Sequence, residues 1–563
     1  MSDTVISRSS TGMSSSFRRK FLILSLLLVV VGFAEGFVTT FYLPRAATVS
    51  CALAYGLIST CLILYGARTV SSRAIAEPPP IAPLAIITLA LVLTLVLAYG
   101  ILRAFPSSAD EFGYTYLAGT LRHLRFWNAP LPTNLRDVLM TVYVPDQDGK
   151  RLSQYPPGWP AVLALLPSLR LSALANPILG LISAVLLLFG LRELRTPHTL
   201  IPPLLIVALL APFTLFNDAS FFNHTLTGTC LLAVAFFDLR QRRVRSVWNQ
   251  VVIGFAFSVV LTTRYEVFGI AFLLYVIDGL LRRRVEFIRT SIVTGVAALP
   301  IVALFGYYNW RITGSPLKTT LAWGAPNISY GLHGVGMEGP NSPAQIMSHM
   351  GHYGTGWALF ASCAVLPFYA VALWHRLATG TIRWFDLMLP AIVLFFVFYP
   401  DGGGFQYGPR YWFAGWVTLP LTLAAGFADG RPWRLGRLVF NPVRFGTLQG
   451  ASYLGFLVGY AIFAYVQIDA RREPLLVAAM APKPAVVLFS RYEVRYVPWQ
   501  TRTLPIEAYD FTRNGPDGLG PVVLGRDLGP ERDASLCRQF SDRTVWRLRM
   551  TGSPPVGRLE PAC

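Results

Sequence analysis

Polar and apolar positions along this chain separate into long apolar blocks and short charged connectors. Thirteen blocks of spanning or near-spanning length run at about 21–43, 46–66, 81–103, 174–191, 199–217, 222–239, 248–262, 265–281, 290–308, 354–374, 384–400, 411–428 and 449–468. About 20 apolar residues in a helix cross the roughly 30 Å of a bilayer's hydrocarbon. The pattern predicts an α-helical polytopic membrane protein with about 13 transmembrane helices. Blocks 248–262 and 265–281 read as two spans, although their closeness would also suit one long helix. Positions 156–169 read as a short or re-entrant segment, because Pro156, Pro157 and Pro160 interrupt their start. The first block follows Arg18-Arg19-Lys20 as a signal sequence would. No small-residue cleavage pattern ends it, so a retained anchor is expected.

Composition agrees. Of 563 residues, 53% are hydrophobic and 14% charged, against roughly 25% charged in soluble domains. That excludes a soluble enzyme, a disordered chain, a coiled coil and a secreted disulfide scaffold. The net charge of +19 would suggest nucleic acid in a soluble protein, but here the basic residues mark membrane orientation and no nucleic-acid partner is expected. With the N-terminal segment 1–20 in the cytoplasm, the loops on its side hold 22 Lys or Arg in 87 residues, and the opposite loops hold 10 in 117. Inner-membrane insertion with a cytoplasmic N-terminus and an outer C-terminus follows. Residues 21–80 form an N-terminal helix pair and 81–468 the main membrane domain, with long outer loops at 104–155 and 309–353.

The tail, 469–563, has 25 charged residues in 95, which is soluble-domain composition. Runs at Ala485–Phe489, Val522–Leu524 and Val545–Leu548 read as strands around a helix near Glu531–Phe540. A small extra-cytoplasmic α/β domain is expected. Cys537 and Cys563 both belong to it, and a bridge between them is one option. The four other cysteines fall in or beside apolar runs, where a thiol is usually a small hydrophobe.

Candidate chemistry gathers on the outer side. Ser107-Ser108-Ala109-Asp110-Glu111 opens a helical run at the start of the first long loop. One reading is a capped helix N-terminus, with Ser108 as cap and Glu111 as its capping-box partner. The other makes Asp110 a carboxylate base held just beyond the membrane surface. Asp146-Gln147-Asp148-Gly149 has a spacing that some transferases use to hold a metal, but its composition is that of a turn. Tyr155-Pro156-Pro157-Gly158 is a stiff re-entry turn whose tyrosine can face the site. Asn223-His224, Arg264-Tyr265-Glu266 and Arg410 lie at outer ends of spans, where ionisable residues are costly. Arg264 and Glu266 suit either a mutual pair or ligand binding. Arg410 follows Tyr407-Gly408-Pro409 and the Gly-rich Asp401–Gly404, and suits a phosphate fork or snorkelling to headgroups. Lys318 is a second phosphate candidate. His333, His349 and His352 lack tight metal-ligand spacing, and no metal is expected.

Five patterns occur in order: the Asp110-Glu111 pair after a span, Tyr155-Pro156-Pro157-Gly158, Asn223-His224, Tyr308-Asn309 with Thr313-Gly314-Ser315-Pro316, and Tyr407-Gly408-Pro409-Arg410-Tyr411. Together, over about 81–430, they resemble the GT-C superfamily of integral-membrane glycosyltransferases, on the branch similar to protein O-mannosyltransferases and bacterial lipid-linked-sugar transferases. The chain departs from that family in having two spans before the helix that would be the family's first. The resemblance implies a sugar carried on a polyprenyl phosphate and an acidic base in the first outer loop, here Asp110 with Glu111 beside it. The expected activity is an inverting, metal-independent hexosyl or pentosyl transfer to an envelope glycan, lipid or protein at the periplasmic face. Arg410, Lys318 and Arg264, with Tyr407, Tyr155, His224 and Glu266, would bind donor phosphate or substrate. No cofactor is expected. Two other classes stand against this reading: a lipid or sugar transporter using Glu35 and Asp278 within spans, and a non-catalytic envelope assembly protein. A wide separation of Asp110 from Arg410 would favour the last.

Overall fold

The computed structural model describes residues 15–41, 45–69, 82–141, 143–326, 335–336, 339–340, 342–399, 407–427, 433–489, 492–497, 500–504, 513–514, 520–551 and 556–563. Its helices are α1 (Ser15–Phe41), α2 (Arg45–Ala67), α3 (Ala82–Leu95, running on as a π-helix over Val96–Ile101), α4 (Ala109–Arg122), α5 (Arg136–Leu139), α6 (Gly158–Ala164), α7 (Leu169–Ser172), α8 (Ala175–Glu193), α9 (Ile201–Leu209) and α10 (Pro212–Ala219). Then follow α11 (His224–Gln241), α12 (Val247–Thr263), α13 (Tyr265–Thr313), α14 (Thr320–Gly324), α15 (Pro343–Phe360), α16 (Val365–Ala378), α17 (Met388–Val397), α18 (Phe413–Phe427), α19 (Pro442–Ala479) and α20 (Pro530–Gln539).

Each of the thirteen apolar blocks falls on helix, but not every block is one straight span. Among the described residues, six helices are long and apolar enough to cross a membrane, or up to eight if each of two bent pairs is one span. The chain is a multi-pass membrane protein. Block 354–374 is the clearest departure: α15 and α16 meet at 106°. The break at Ala361–Ala364 is buried, and its polar groups are satisfied inside the protein. Ser362 Oγ lies 2.6 Å from Gln449 Oε1, and Trp357 Nε1 donates to Ser362 O at 3.1 Å. Irregular backbone at membrane depth needs such partners. Helices α12 and α13 are separate, divided at the non-helical Arg264 (φ −148°, ψ 87°). Within α13 a second break at Arg283 (φ −144°, ψ 37°) divides the two expected spans.

Charged side chains sit at two poles. On α11, His224 lies near one end and Asp238 fourteen positions on, roughly 21 Å along the axis. At the Asp238 pole the carboxylates are paired: Asp238 with Arg242 at 2.9 Å and Arg283 at 2.7 Å, and Asp278 with Arg242 at 2.8 Å and Arg282 at 2.7 Å. Asp278 is therefore a structural ion-pair partner at the end opposite His224.

The N-terminal helix joins the core through glycine. Gly32 and Gly36 of α1 meet Gly455 and Gly459 of α19. A Cβ on Gly455 would lie 2.2 Å from Val29 O, and one on Gly36 would lie 2.7 Å from Phe456 O. Small residues four apart on both helices let the backbones touch, which replaces the hydrophobic drive that lipid cannot supply.

α19 continues past the expected boundary at 468 to Ala479, and the tail sheet follows it. Strands Val522–Arg526, Ala485–Phe489 and Thr544–Thr551 run parallel in that order, and Val556–Pro561 adds an antiparallel edge. The three strand runs and the helix read from the sequence are present, and Cys537 bridges Cys563. One face of the sheet is covered by the loop after α4. Leu131, Leu135, Val138 and Leu139 share an apolar cluster with Val486, Leu488, Val523, Leu536 and Phe540. Gly525 admits this contact, since a Cβ there would lie 2.8 Å from Val138 Cγ1. Asp137 pairs with Arg532 at 2.8 Å.

Gly455→Leu should separate α1 from α19 and lower thermal stability in detergent, by about 1–3 kcal/mol as overpacking does. Gly295→Leu, whose position has open space around it, should leave the melting temperature unchanged. Melting curves of both purified variants check this.

Candidate active site

α4 starts the site. Ser108 caps it, accepting from Glu111 N at 3.2 Å. Glu111 does not reach back to the Ser108 amide as a capping box would. Its Oε2 accepts from Ser107 N at 2.7 Å and Ser107 Oγ at 2.8 Å, and its Oε1 accepts from Phe221 N at 2.7 Å. The side chain is buried, which pushes its pKa up, while these hydrogen bonds pull it back. Glu111 thus anchors the turn 218–223 to α4. Trp159 Nε1, donating to Phe221 O at 2.7 Å, holds that turn from the other side. Tyr407 joins the same layer through its hydroxyl, 2.9 Å from Ser107 Oγ.

Asp110, one residue earlier on the helix, faces the opposite way into a cluster of charge. Arg410 Nη1 lies 2.6 Å from its Oδ2, and Tyr155 donates a hydrogen bond to its Oδ1. Arg410 rests on the ring of Phe222, 4.5 Å from the centroid, so the turn that Glu111 anchors is the floor beneath the guanidinium. Burial works against the charge of Arg410, and Asp110 more than offsets it, leaving the pKa raised. The Nε of Arg410 is buried with no hydrogen-bond acceptor among the described residues. The Tyr155 phenol is pushed well above its usual range by burial and by the charge of Asp110, so it stays a proton donor.

A second guanidinium stands beside the first. Arg264, at the break between α12 and α13, donates to His224 Nδ1 and to Glu266 Oε1, the latter at 3.0 Å. Tyr411 lies between the cations, 5.3 Å from Arg264 and 5.8 Å from Arg410. Break, turn and helix start thus bring Asp110, Tyr155, His224, Arg264, Glu266 and Arg410 together. Lys318 is not among them: it lies exposed in the turn after α13. The Asp146-x-Asp148 pair is a hairpin turn, with Asp148 and Gly149 at positive φ. Asp146 accepts from Leu131 N at 2.8 Å and Asp148 from Trp323 Nε1 at 3.0 Å. Among the described residues, no three of His, Cys, Asp and Glu are grouped to hold a metal ion. Asp401–Gly404 and His333 lie outside the described residues. Sequence reasoning missed Phe222 and Gly113. Nothing marks Phe222 in sequence, while a glycine three residues after Asp110 inside a helix was a visible signal.

No family model matches the chain, and no curated protein matches it. Among solved structures, it superposes on ArnT from Cupriavidus metallidurans bound to undecaprenyl phosphate with a TM-score of 0.51, at 14% identity over 83% of this chain and 92% of that one. The chain has the GT-C membrane fold. Weaker likenesses to the same fold are an Archaeoglobus fulgidus oligosaccharyltransferase (TM-score 0.42, 14% identity, 72% of this chain and 59% of that one) and the mycobacterial arabinofuranosyltransferase AftD (0.40, 15%, 85% and 36%). In this GT-C fold the charge cluster occupies the pole opposite the Asp238 network and adjoins the loop on which the tail sheet packs.

Glu111→Gln would turn an amide N–H₂ toward backbone donors. It should lower stability by about 1–3 kcal/mol, the cost of buried groups left unpaired. Thermal unfolding of the purified variant measures it.

Proposed function

We propose that this protein is an inverting glycosyltransferase, moving a sugar from a polyprenyl-phosphate donor to an acceptor hydroxyl at the periplasmic face of the inner membrane. The observation that carries this reading is the buried Asp110–Arg410 pair at 2.6 Å beside a second guanidinium. A carboxylate and two guanidiniums grouped at one end of the helices favour surface chemistry over a transporter, which would keep its ionisable groups at mid-membrane. Asp278 instead sits in ion pairs at the far pole.

In this reading the donor phosphate takes the unpartnered Nε edge of Arg410, with Arg264 adding a second positive charge. Fork-like hydrogen bonds hold the phosphate and offset the negative charge that grows as the glycosyl bond breaks. Asp110 removes the acceptor's proton as its oxygen attacks the anomeric carbon from the side away from the phosphate, which inverts that carbon. Two guanidiniums supply the charge stabilisation that a divalent metal otherwise would, so turnover should survive EDTA. The fold likeness to a protein captured with undecaprenyl phosphate supports the lipid-linked donor. The acceptor is an envelope glycan, lipid or protein.

Mass spectrometry of envelope glycans and glycolipids from a deletion strain should show one sugar missing. Asp110→Asn should cut its restoration on the order of 10²–10⁴-fold while donor binding is kept or strengthened, since Arg410 is then unpaired. Arg410→Ala should lose both, and Arg410→Lys should keep part of each. Full restoration by Asp110→Asn would remove Asp110 as base. For orientation, a cysteine at Asp148 should react with an impermeant thiol reagent in intact spheroplasts and one at Arg245 should not, in a background without the four free thiols.

A further inference from the structure

The two oxygens of Asp110 are held by different partners, and only one of those partners is needed elsewhere. Arg410, on Oδ2, is the group that meets a phosphate. Tyr155, on Oδ1, has no other hydroxyl partner among the described residues. Its partly buried ring packs between other aromatic rings. The centroid of Tyr114 is 4.6 Å away and that of Tyr143 is 5.9 Å away. Thr320 Oγ1 donates to the carbonyls of Gln154 at 2.9 Å and Tyr155 at 3.3 Å, pinning the backbone before the Pro156-Pro157 stretch. Tyr114 stands on α4, and the residue before it is Gly113. A Cβ on Gly113 would lie 2.6 Å from Tyr155 Cε2, 2.8 Å from Cδ2 and 3.1 Å from Ser153 Oγ. Contacts under 3.0 Å on the ring would push it away from α4, and its hydroxyl with it.

We infer that Tyr155 is a positioning residue for the base, and that Gly113 is a glycine because the Tyr155 ring must lie against α4 to reach Asp110. The inference rests on Asp110 being the base. When Arg410 turns to the donor phosphate, Tyr155 is the remaining hold on the carboxylate. It keeps Oδ2 aimed at the acceptor. This differs from contact with donor or acceptor, the role that the sequence pattern assigns to Tyr155.

The charged and titratable groups facing Asp110 are Arg410 and Tyr411 before α18, Arg264 and Glu266 at the start of α13, Tyr155 and Tyr143 from the outer loop, and Tyr114 on α4. Tyr155→Phe removes one hydrogen-bond donor to Asp110 and leaves the others in place.

The test uses the full chain in nanodiscs at one fixed pH, with the infrared carboxylate band of Asp110 read against Asp110→Asn as the blank and undecaprenyl phosphate as the binding probe. Transfer is read as recovery of the missing envelope sugar in the deletion strain. Tyr155→Phe and Gly113→Ala should each move the Asp110 carboxylate band and cut recovery on the order of tenfold or more, while undecaprenyl phosphate binding stays within about threefold. The double variant should be no worse than Tyr155→Phe, because both changes act through one hydrogen bond. A parental band and parental recovery in Tyr155→Phe, with Asp110→Asn inactive, would overturn this inference alone. Full recovery by Asp110→Asn would remove the base assignment beneath it. Loss of undecaprenyl phosphate binding in Tyr155→Phe would place that residue on the donor and also overturn the inference. If Gly113→Ala does not fold, the Tyr155→Phe measurements decide.

Discussion

Burying one charge in a protein interior costs several kcal/mol unless a partner of opposite sign is within reach. That constraint organises the Asp110 end of this molecule. Arg410 is nine-tenths buried and needs Asp110. Asp110 in turn needs α4 to begin where it does, and α4 needs Ser108 at its cap. Glu111 then ties α4 to the turn whose Phe222 supports Arg410 from below. The loop of dependencies closes on itself: carboxylate, cation, floor and anchor are each placed by another member.

The membrane frame was legible because its signal is coarse. Apolar length and basic asymmetry locate helices and loops whatever the packing, and all thirteen blocks proved helical. The sharp bend between α15 and α16 was not legible, because it depends on Gln449, more than eighty residues away, meeting Ser362. Nor was the docking of 131–139 on the tail, since a short apolar run within a polar loop does not name its partner. The candidate charges were legible singly, as ionisable groups beside spans. Their grouping was not: nothing in sequence places Tyr155 on Asp110 rather than on a ligand, or excludes Lys318 from the cluster. Glu111 shows the limit well. Its position fits a capping box, and only the approach of Phe221 from a distant turn shows it as a link between segments.

Glycine does two different jobs. In α1 and α19 it permits helix contact where lipid offers no hydrophobic gain, and so attaches the N-terminal pair to the core. In α4 it permits a side chain to lie flat against a helix in the site. Both uses remove a Cβ so that something else can come close, and both accept glycine's lower helix propensity, about 1 kcal/mol each.

The apolar cluster between residues 131–139 and the tail sheet has a temporal side. The ribosome delivers residues 131–139 long before the strands that cover them, so Leu131, Leu135, Val138 and Leu139 must wait uncovered until the C-terminal segment is made. The last strands to be made therefore finish the folding of a segment made much earlier. A chain that stops short of them leaves a greasy patch bare, close in sequence to the helix that bears Asp110.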